Sequence, residues 1–254
     1  MRIKQAYISP SVADFSIHKD YGLAEYYDSS EPCVFFGMYR EEDFKALIAH
    51  SGMAVVRWCG HDAMTFNDWD LIKFSNIHHV TPFPKVAEHI CSKGFRCKLI
   101  RPSDIRPVKT VSKNGNKVYA YCPKSFPGYH GHEIIKRLKI PHKIIIGDGS
   151  ISQEDWKNGA SEEIYKDCFV GLFLSSFAGG GAGIIEMGLR GKRVITNVLQ
   201  MPHTISWNTI EDIERSIMSE SRFILQENAS LSTFVKQSLD PNMNFLHTEI
   251  YARV

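Results

Sequence analysis

The chain of 254 residues reads as an α/β protein built of two similar lobes. Two observations predict this. Short apolar runs alternate with amphipathic segments along the whole sequence, and the alternation breaks once, at a Pro- and Lys-containing stretch near the middle. Strand, helix, strand with short connections is the mark of a parallel sheet covered by helices.

In the first part, 3–8 and 33–36 read as strands, and 40–50 as a helix with Phe44, Leu47 and Ile48 at helical spacing. Further strands are expected over 54–58, 77–80 and 97–100, with a helix over 84–92 that Gly94 is placed to end. The segment 101–117 holds Pro102, Pro107, several lysines and the turn pair Asn114-Gly115, so it reads as a linker. The second series follows: strand 118–122, helix 132–138 with Pro141 beyond it, and strand 143–146 leading into Gly147-Asp148-Gly149. Ser152 is placed to cap a helix carrying Trp156. Then come strand 169–174, helix 183–189 closed by Gly191, strand 194–196, and a helix from Thr209 with Asp212 three residues on. These elements predict two Rossmann-like lobes facing a central cleft, with boundaries at 1–105 and 106–254. The apolar end, 245–254, could cross back to the first lobe, but no strong argument assigns it there.

Composition narrows the class. Hydrophobic residues make up 43% and charged ones 23%, which suits a globular chain with a substantial core. A formal charge of +2 gives no domain-wide basic field, although a local basic groove stays open. The six cysteines form no CxxC pair, and several lie inside apolar runs, so they read as buried thiols in a reducing compartment. No apolar stretch suits a signal peptide or a membrane span, and the expected location is cytoplasmic. His78 and His79 point to opposite faces if strand-borne, and no clustered Cys/His pattern or HExxH appears, so no protein-bound metal is expected.

The most informative segment runs from Val170 through Ser175-Ser176, the glycines Gly179, Gly180, Gly181 and Gly183, and Glu186 to Asn197. An apolar strand enters a glycine-rich turn that opens a helix. Glycines let the main chain approach an anion, and a helix start presents free N–H groups with partial positive charge. A diphosphate fits there, and Glu186, one turn on, can accept two hydrogen bonds from a ribose diol. The Walker pattern fails, because Ala182-Gly183-Ile184 stands where Gly-Lys-Ser/Thr is needed. A dinucleotide fingerprint fits poorly in spacing and lacks its acid, since the next strand ends at Asn197. The plain alternative is a turn whose glycines only permit close packing.

Residues 117–220 resemble the donor-binding lobe of GT-B-fold glycosyltransferases, through the pattern Glu186-Met-Gly-Leu-x-Gly-x-x-Val-Ile-x-Asn197. The resemblance implies a UDP-type nucleotide-diphosphate-sugar donor, with Glu186 gripping its ribose. It also implies Lys124 as counter-charge to the diphosphate, and Ser125, Tyr129, His130 and Ser176 as hydrogen-bonding groups. Gly180, Gly181, Ala182 and Gly183 would line the phosphates, and Gly147 would lie beside the base. Retaining members usually carry another glutamate where this chain has Ala178, which leaves the stereochemical class open. In the first lobe, Trp58-Cys-Gly-His61-Asp62-Ala63 resembles a segment of some small glycosyltransferases of this fold. Asp62 first, and His61 second, are the candidate catalytic groups, able to take a hydroxyl proton or stabilise developing charge. Arg57 and Trp58 are candidate acceptor contacts. Lys124 as a solvated loop residue and Asp62 as a simple cap are the structural alternatives.

The implied activity is sugar transfer to a hydroxyl, of a saccharide or of a hydroxylated base in bacteriophage DNA, the location then being host cytoplasm. Arg101, Arg106, Lys109, Lys113 and Lys117 could contact phosphates or form a solvated linker face. No tightly bound cofactor is expected, and a divalent metal carried in by the donor stays open. The alternatives are a sugar-nucleotide epimerase of the same fold or a non-catalytic nucleotide-sugar-binding subunit. Oligomeric state is not legible.

Overall fold

The computed structural model describes residues 1–12, 17–103, 111–123, 127–147, 164–178, 181–240 and 242–251. The expected helix at Ser152–Trp156 lies outside them. The chain divides into two compact units, Met1–Arg106 with Asp240–Val254, and Pro107–Leu239.

Unit 1 is a six-stranded sheet in the order β2-β1-β3-β4-β5-β6, every neighbouring pair parallel. Its strands are β1 (Gln5–Ile8), β2 (Ala24–Glu25), β3 (Cys33–Phe36), β4 (Ala54–Arg57), β5 (Ile77–Thr81) and β6 (Cys97–Leu99). Its helices are α1 (Ile17–Asp20), α2 (Glu41–Ala49), α3 (His61–Thr65) and α4 (Pro84–Ser92). All four residues of β3 are buried, as expected for a parallel strand covered on both faces. Proline opens α4, where a missing N–H costs nothing, and Gly94, at φ +87°, follows its end.

The end of the chain belongs to this unit. Phe245, Leu246 and Tyr251 pack with Ile3, Val34, Phe36 and Val55 in one core. The Ile3 N–H donates to the Leu246 carbonyl (2.8 Å), and the Thr248 N–H to that of Met1 (2.8 Å). The residues from Asp240 onward, which the sequence boundaries gave to the second lobe, therefore complete the first.

Unit 2 is a five-stranded parallel sheet in the order β11-β10-β9-β7-β8. The strands are β7 (Lys117–Tyr121), β8 (Ile144–Gly147), β9 (Cys168–Phe173), β10 (Arg193–Thr196) and β11 (Thr204–Ile205). Among the described residues the α-helices are α5 (His132–Arg137), α6 (Gly181–Leu189), α7 (Ile210–Glu220) and α8 (Ala229–Ser238). β9 is buried throughout and forms the spine of the core with Val118, Ala120, Ile195, Ile213 and Ile217. The expected cap of α7 is present: Thr209 Oγ1 accepts the Asp212 N–H (3.1 Å), and Asp212 Oδ2 accepts the Thr209 N–H (3.0 Å).

Lys192, fully buried before β10, ties together the starts of two neighbouring strands. Its ammonium donates to the Cys168 carbonyl (2.9 Å), Asn114 Oδ1 (3.2 Å) and the Lys113 carbonyl (3.4 Å). All three acceptors are neutral, and desolvation pushes its pKa down to about 8.

Both sheets follow one plan. In each, the first strand lies between the second and the third: β1 between β2 and β3, β7 between β8 and β9. The direction of winding reverses there. Open parallel sheets take up ligands outside the carboxyl ends of the strands at that reversal. The segments to inspect are therefore those following β1 and β3 in unit 1, and β7 and β9 in unit 2.

Candidate functional site

In unit 2 the segments after β7 and β9 are joined by hydrogen bonds among imidazole, hydroxyl, phenol and main-chain groups. His130 Nδ1 lies 2.7 Å from Ser175 Oγ, both side chains buried. The Tyr129 hydroxyl donates to the Ala178 carbonyl (2.7 Å) and accepts the Ala178 N–H (2.9 Å), while the Ser176 N–H donates to the Tyr129 carbonyl (3.1 Å). Gly131, at φ +77°, lets the chain pass so close to Leu174 that a Cβ there would collide with the leucine. Tyr121 stands edge-on to His130 at 5.0 Å and stacks on Phe173 at 5.4 Å. Burial raises the pKa of both Tyr121 and Tyr129, so these are neutral phenols at ordinary pH.

The strand β9 then leads to α6. Gly181, Ala182 and Gly183 form its first turn and are partly exposed, whereas every residue from Ile184 to Arg190 is buried. A Cβ at Gly183 would press on the Phe173 ring (3.0 Å) and the Tyr165 hydroxyl (3.1 Å). Its first turn carries no acid. α6 is held from behind by His203, whose Nε2–H donates to the Ile184 carbonyl (2.8 Å) and whose ring lies against Gly188. Burial pushes the His203 pKa down to about 4, so the ring is neutral.

The expected donor residues Tyr129, His130, Ser176, Gly181, Ala182 and Gly183 thus lie on the two segments at the reversal. Lys124, Ser125 and Gly180 lie outside the described residues, as do Asp148 and Gly149. Glu186 lies in α6 with only 3% of its surface exposed, and its charge helps raise the pKa of Tyr119 after burial has done most. Gly147 is buried at the end of β8, and a Cβ there would strike the Tyr119 hydroxyl. Its lack of a side chain is therefore accounted for by packing. Sequence reasoning missed Ser175. The available signal was a pair of small polar residues directly after a wholly apolar strand.

Unit 1 treats its helix starts differently. Asp43, fully buried, accepts the N–H groups of Tyr39 and Arg40 (both 2.8 Å), the Ser9 hydroxyl (2.8 Å) and the Tyr7 hydroxyl (3.0 Å). These contacts join the segments after β1 and β3 at the start of α2. Asp62, also fully buried, accepts the N–H groups of Gly60 (2.7 Å), Ala63 (2.9 Å), Cys59 (3.1 Å) and Met38 (3.2 Å) at the start of α3. Desolvation raises its carboxyl pKa, and those four N–H groups oppose the rise.

Two first-lobe expectations need correcting on these contacts. Asp62 was expected first as a catalytic group, but its oxygens are buried and bound to main-chain N–H groups, the arrangement of the cap alternative. Trp58 was expected to touch the acceptor, but it is wholly buried. Its indole N–H donates to His79 Nδ1 (3.1 Å), and it packs on Trp69 and Phe66. Burial and the neighbouring His78 push the His79 pKa down to about 4. His61 is exposed on the first turn of α3. Arg57 is partly exposed, its guanidinium 5.5 Å from the centre of the Phe36 ring. Of the basic residues noted around the linker, Arg106 and Lys109 lie outside the described residues, and Lys117 pairs with Asp167 at 2.7 Å.

Among the described residues no three His, Cys, Asp or Glu side chains gather as a metal site would require, and no helix is long and apolar enough to cross a membrane.

No family model and no curated protein sequence matches the chain. The fold is similar to that of a solved structure, TarM, and two further structures align more weakly. TarM aligns with a TM-score of 0.50 at 12% identity, over 89% of this chain and 54% of TarM. An S. aureus TarM variant in complex with Fondaparinux, alpha-GlcNAc-glycerol and UDP aligns at 0.49 and 13%, over 89% and 55% of the two chains. The pneumococcal O-GlcNAc transferase GtfA in complex with UDP and GlcNAc aligns at 0.47 and 12%, over 94% and 59%. The chain spans little more than half the length of these proteins.

Proposed function

We propose that this chain is a GT-B-type glycosyltransferase that moves a hexosyl or pentosyl group from a UDP-type sugar donor to a hydroxyl acceptor. The observation that carries the reading is the first turn of α6, with its small residues, its position at the winding reversal and the absence of an acid from it. A diphosphate there accepts hydrogen bonds from main-chain N–H groups and lies at the positive end of the helix dipole. The fold shared with TarM supports the same reading.

In the proposed reaction the bond from the sugar's anomeric carbon to the diphosphate breaks as the acceptor oxygen bonds to that carbon. The helix start, with Lys124, takes up the charge left on the diphosphate. Glu186, one turn into α6, is the proposed ribose contact. His61, exposed at the carboxyl edge of the unit 1 sheet, is the proposed receiver of the hydroxyl proton, and Arg57 the proposed acceptor contact.

Ala182→Asp tests the reading without threatening the fold, because an acid in the first turn of a helix is stabilising. The expected result is an unchanged or raised melting temperature, with UDP affinity reduced roughly 30-fold, equivalent to about 2 kcal/mol. Undiminished UDP binding by this variant would refute the assigned phosphate position. A wild-type chain that binds none of a panel of nucleotide sugars in a thermal-shift assay would refute the activity.

A further inference from the structure

The bridge between the two segments at the reversal in unit 2 is more elaborate than folding requires. Parallel pairing of β7 with β9 already fixes the strands. Beyond the strand ends, the chain adds a buried His130–Ser175 hydrogen bond, two bonds between the Tyr129 hydroxyl and the main chain of Ala178, and one from Ser176 to Tyr129. Ala178 lies three residues before α6, so these bonds anchor the chain close to the helix start.

The chemistry of the bridge is also informative. At the matching reversal in unit 1, the segments after β1 and β3 are joined through the carboxylate of Asp43. In unit 2 imidazole, hydroxyl and phenol groups do that work. A carboxylate would hold main-chain N–H groups as well, but it would repel an anion a few ångströms away. Partners that carry no negative charge hold the segment and leave the field of the helix start intact.

We propose that Ser175 and His130 form a latch that presets the start of α6 for an anionic ligand, with Ser175 a positioning residue that never touches the ligand. The anion in question rests on the donor site proposed above. Binding to a preset loop avoids the entropy of ordering it, so loss of the latch weakens affinity although no ligand contact is removed.

The test compares wild type, Ser175→Ala and Ser175→Thr by amide hydrogen exchange without ligand and by UDP calorimetry. Ser175→Ala is expected to speed exchange in the peptides covering Tyr129 and 176–178 and to raise the UDP dissociation constant about tenfold, with a near-wild-type melting temperature. Ser175→Thr, which keeps the hydroxyl, is expected to restore both. Exchange left unchanged by Ser175→Ala overturns the latch, as does faster exchange with full UDP affinity. Should wild type itself fail to bind UDP, the donor reading falls, while the exchange data still decide whether the latch exists.

Discussion

The two units are variations on one winding plan, and they differ most in how they close their helix starts. In unit 1, Asp43 and Asp62 are each wholly buried and accept main-chain N–H groups at the approaches to α2 and α3, from Tyr39 and Arg40 in one case and from Cys59, Gly60 and Ala63 in the other. In unit 2, α6 opens on Gly181-Ala182-Gly183, and the adjoining segments are bridged by His130, Ser175 and Tyr129. A helix start with a carboxylate already seated beside it repels an incoming anion. One opened by small residues does not. The same topology therefore yields a self-satisfied edge in one unit and a receptive one in the other.

The comparison can be broken at several points. The largest effect is expected in unit 1. Asp62→Ala strands several buried N–H groups and should cost about 3 kcal/mol or more, read from urea unfolding. The matching truncation in unit 2, Ser175→Ala, removes one hydrogen bond and should cost only about 1 kcal/mol. If the two losses are equal, the carboxylate is not the main closure of unit 1.

Acid should challenge both units alike. His79 in unit 1 and His203 in unit 2 have pKa values pushed from 6.5 down to about 4 by burial. Each accepts a proton more readily in the unfolded chain. Their contribution is complete above pH 6.5 and is lost as pH falls from there toward 4, by up to roughly 3 kcal/mol each. For His79 the cause is visible, since protonating Nδ1 removes the acceptor of the Trp58 indole N–H. Stability measured against pH should fall more gently in His79→Gln, and a parallel curve would contradict the assignment.

At alkaline pH the units should part. The Lys192 pKa is lowered from 10.5 to about 8, so the unfolded state binds more protons between those values, and stability should rise as pH climbs through them. The gain is at most about 3 kcal/mol, belongs to unit 2, and should vanish in Lys192→Met. A rise that survives the substitution would assign it to another group.

Much of this architecture was legible from periodicity. The limits of β3 and α4 agree with the expected 33–36 and 84–92, and the Thr209–Asp212 cap was read directly from residue type and spacing. The two-residue strands β2 and β11 were missed because a strand that short carries no alternation to detect. α8 was missed because Ser232 stands on its buried face beside Leu231 and Val235 while Phe234 is exposed, although Asn228 caps it through the Leu231 N–H (3.0 Å). At the site, the glycine-rich turn announced itself through composition. Asp62 and Trp58 misled for a common reason: a residue type at a strand end says nothing of whether its side chain turns outward or is folded under. Ser175 showed only as one of a polar pair after an apolar strand, because its partner His130 is 45 residues away and only the parallel pairing of β7 with β9 brings them together.

The central claim is that an anion is received at the start of α6 and not at the carboxylate-closed helix starts of unit 1. Amide hydrogen exchange with and without saturating UDP tests it most directly. Protection should appear in the peptides covering 176–186 and be absent from those covering 38–43 and 59–63. Protection confined to the unit 1 peptides, with the α6 start unchanged, would contradict it.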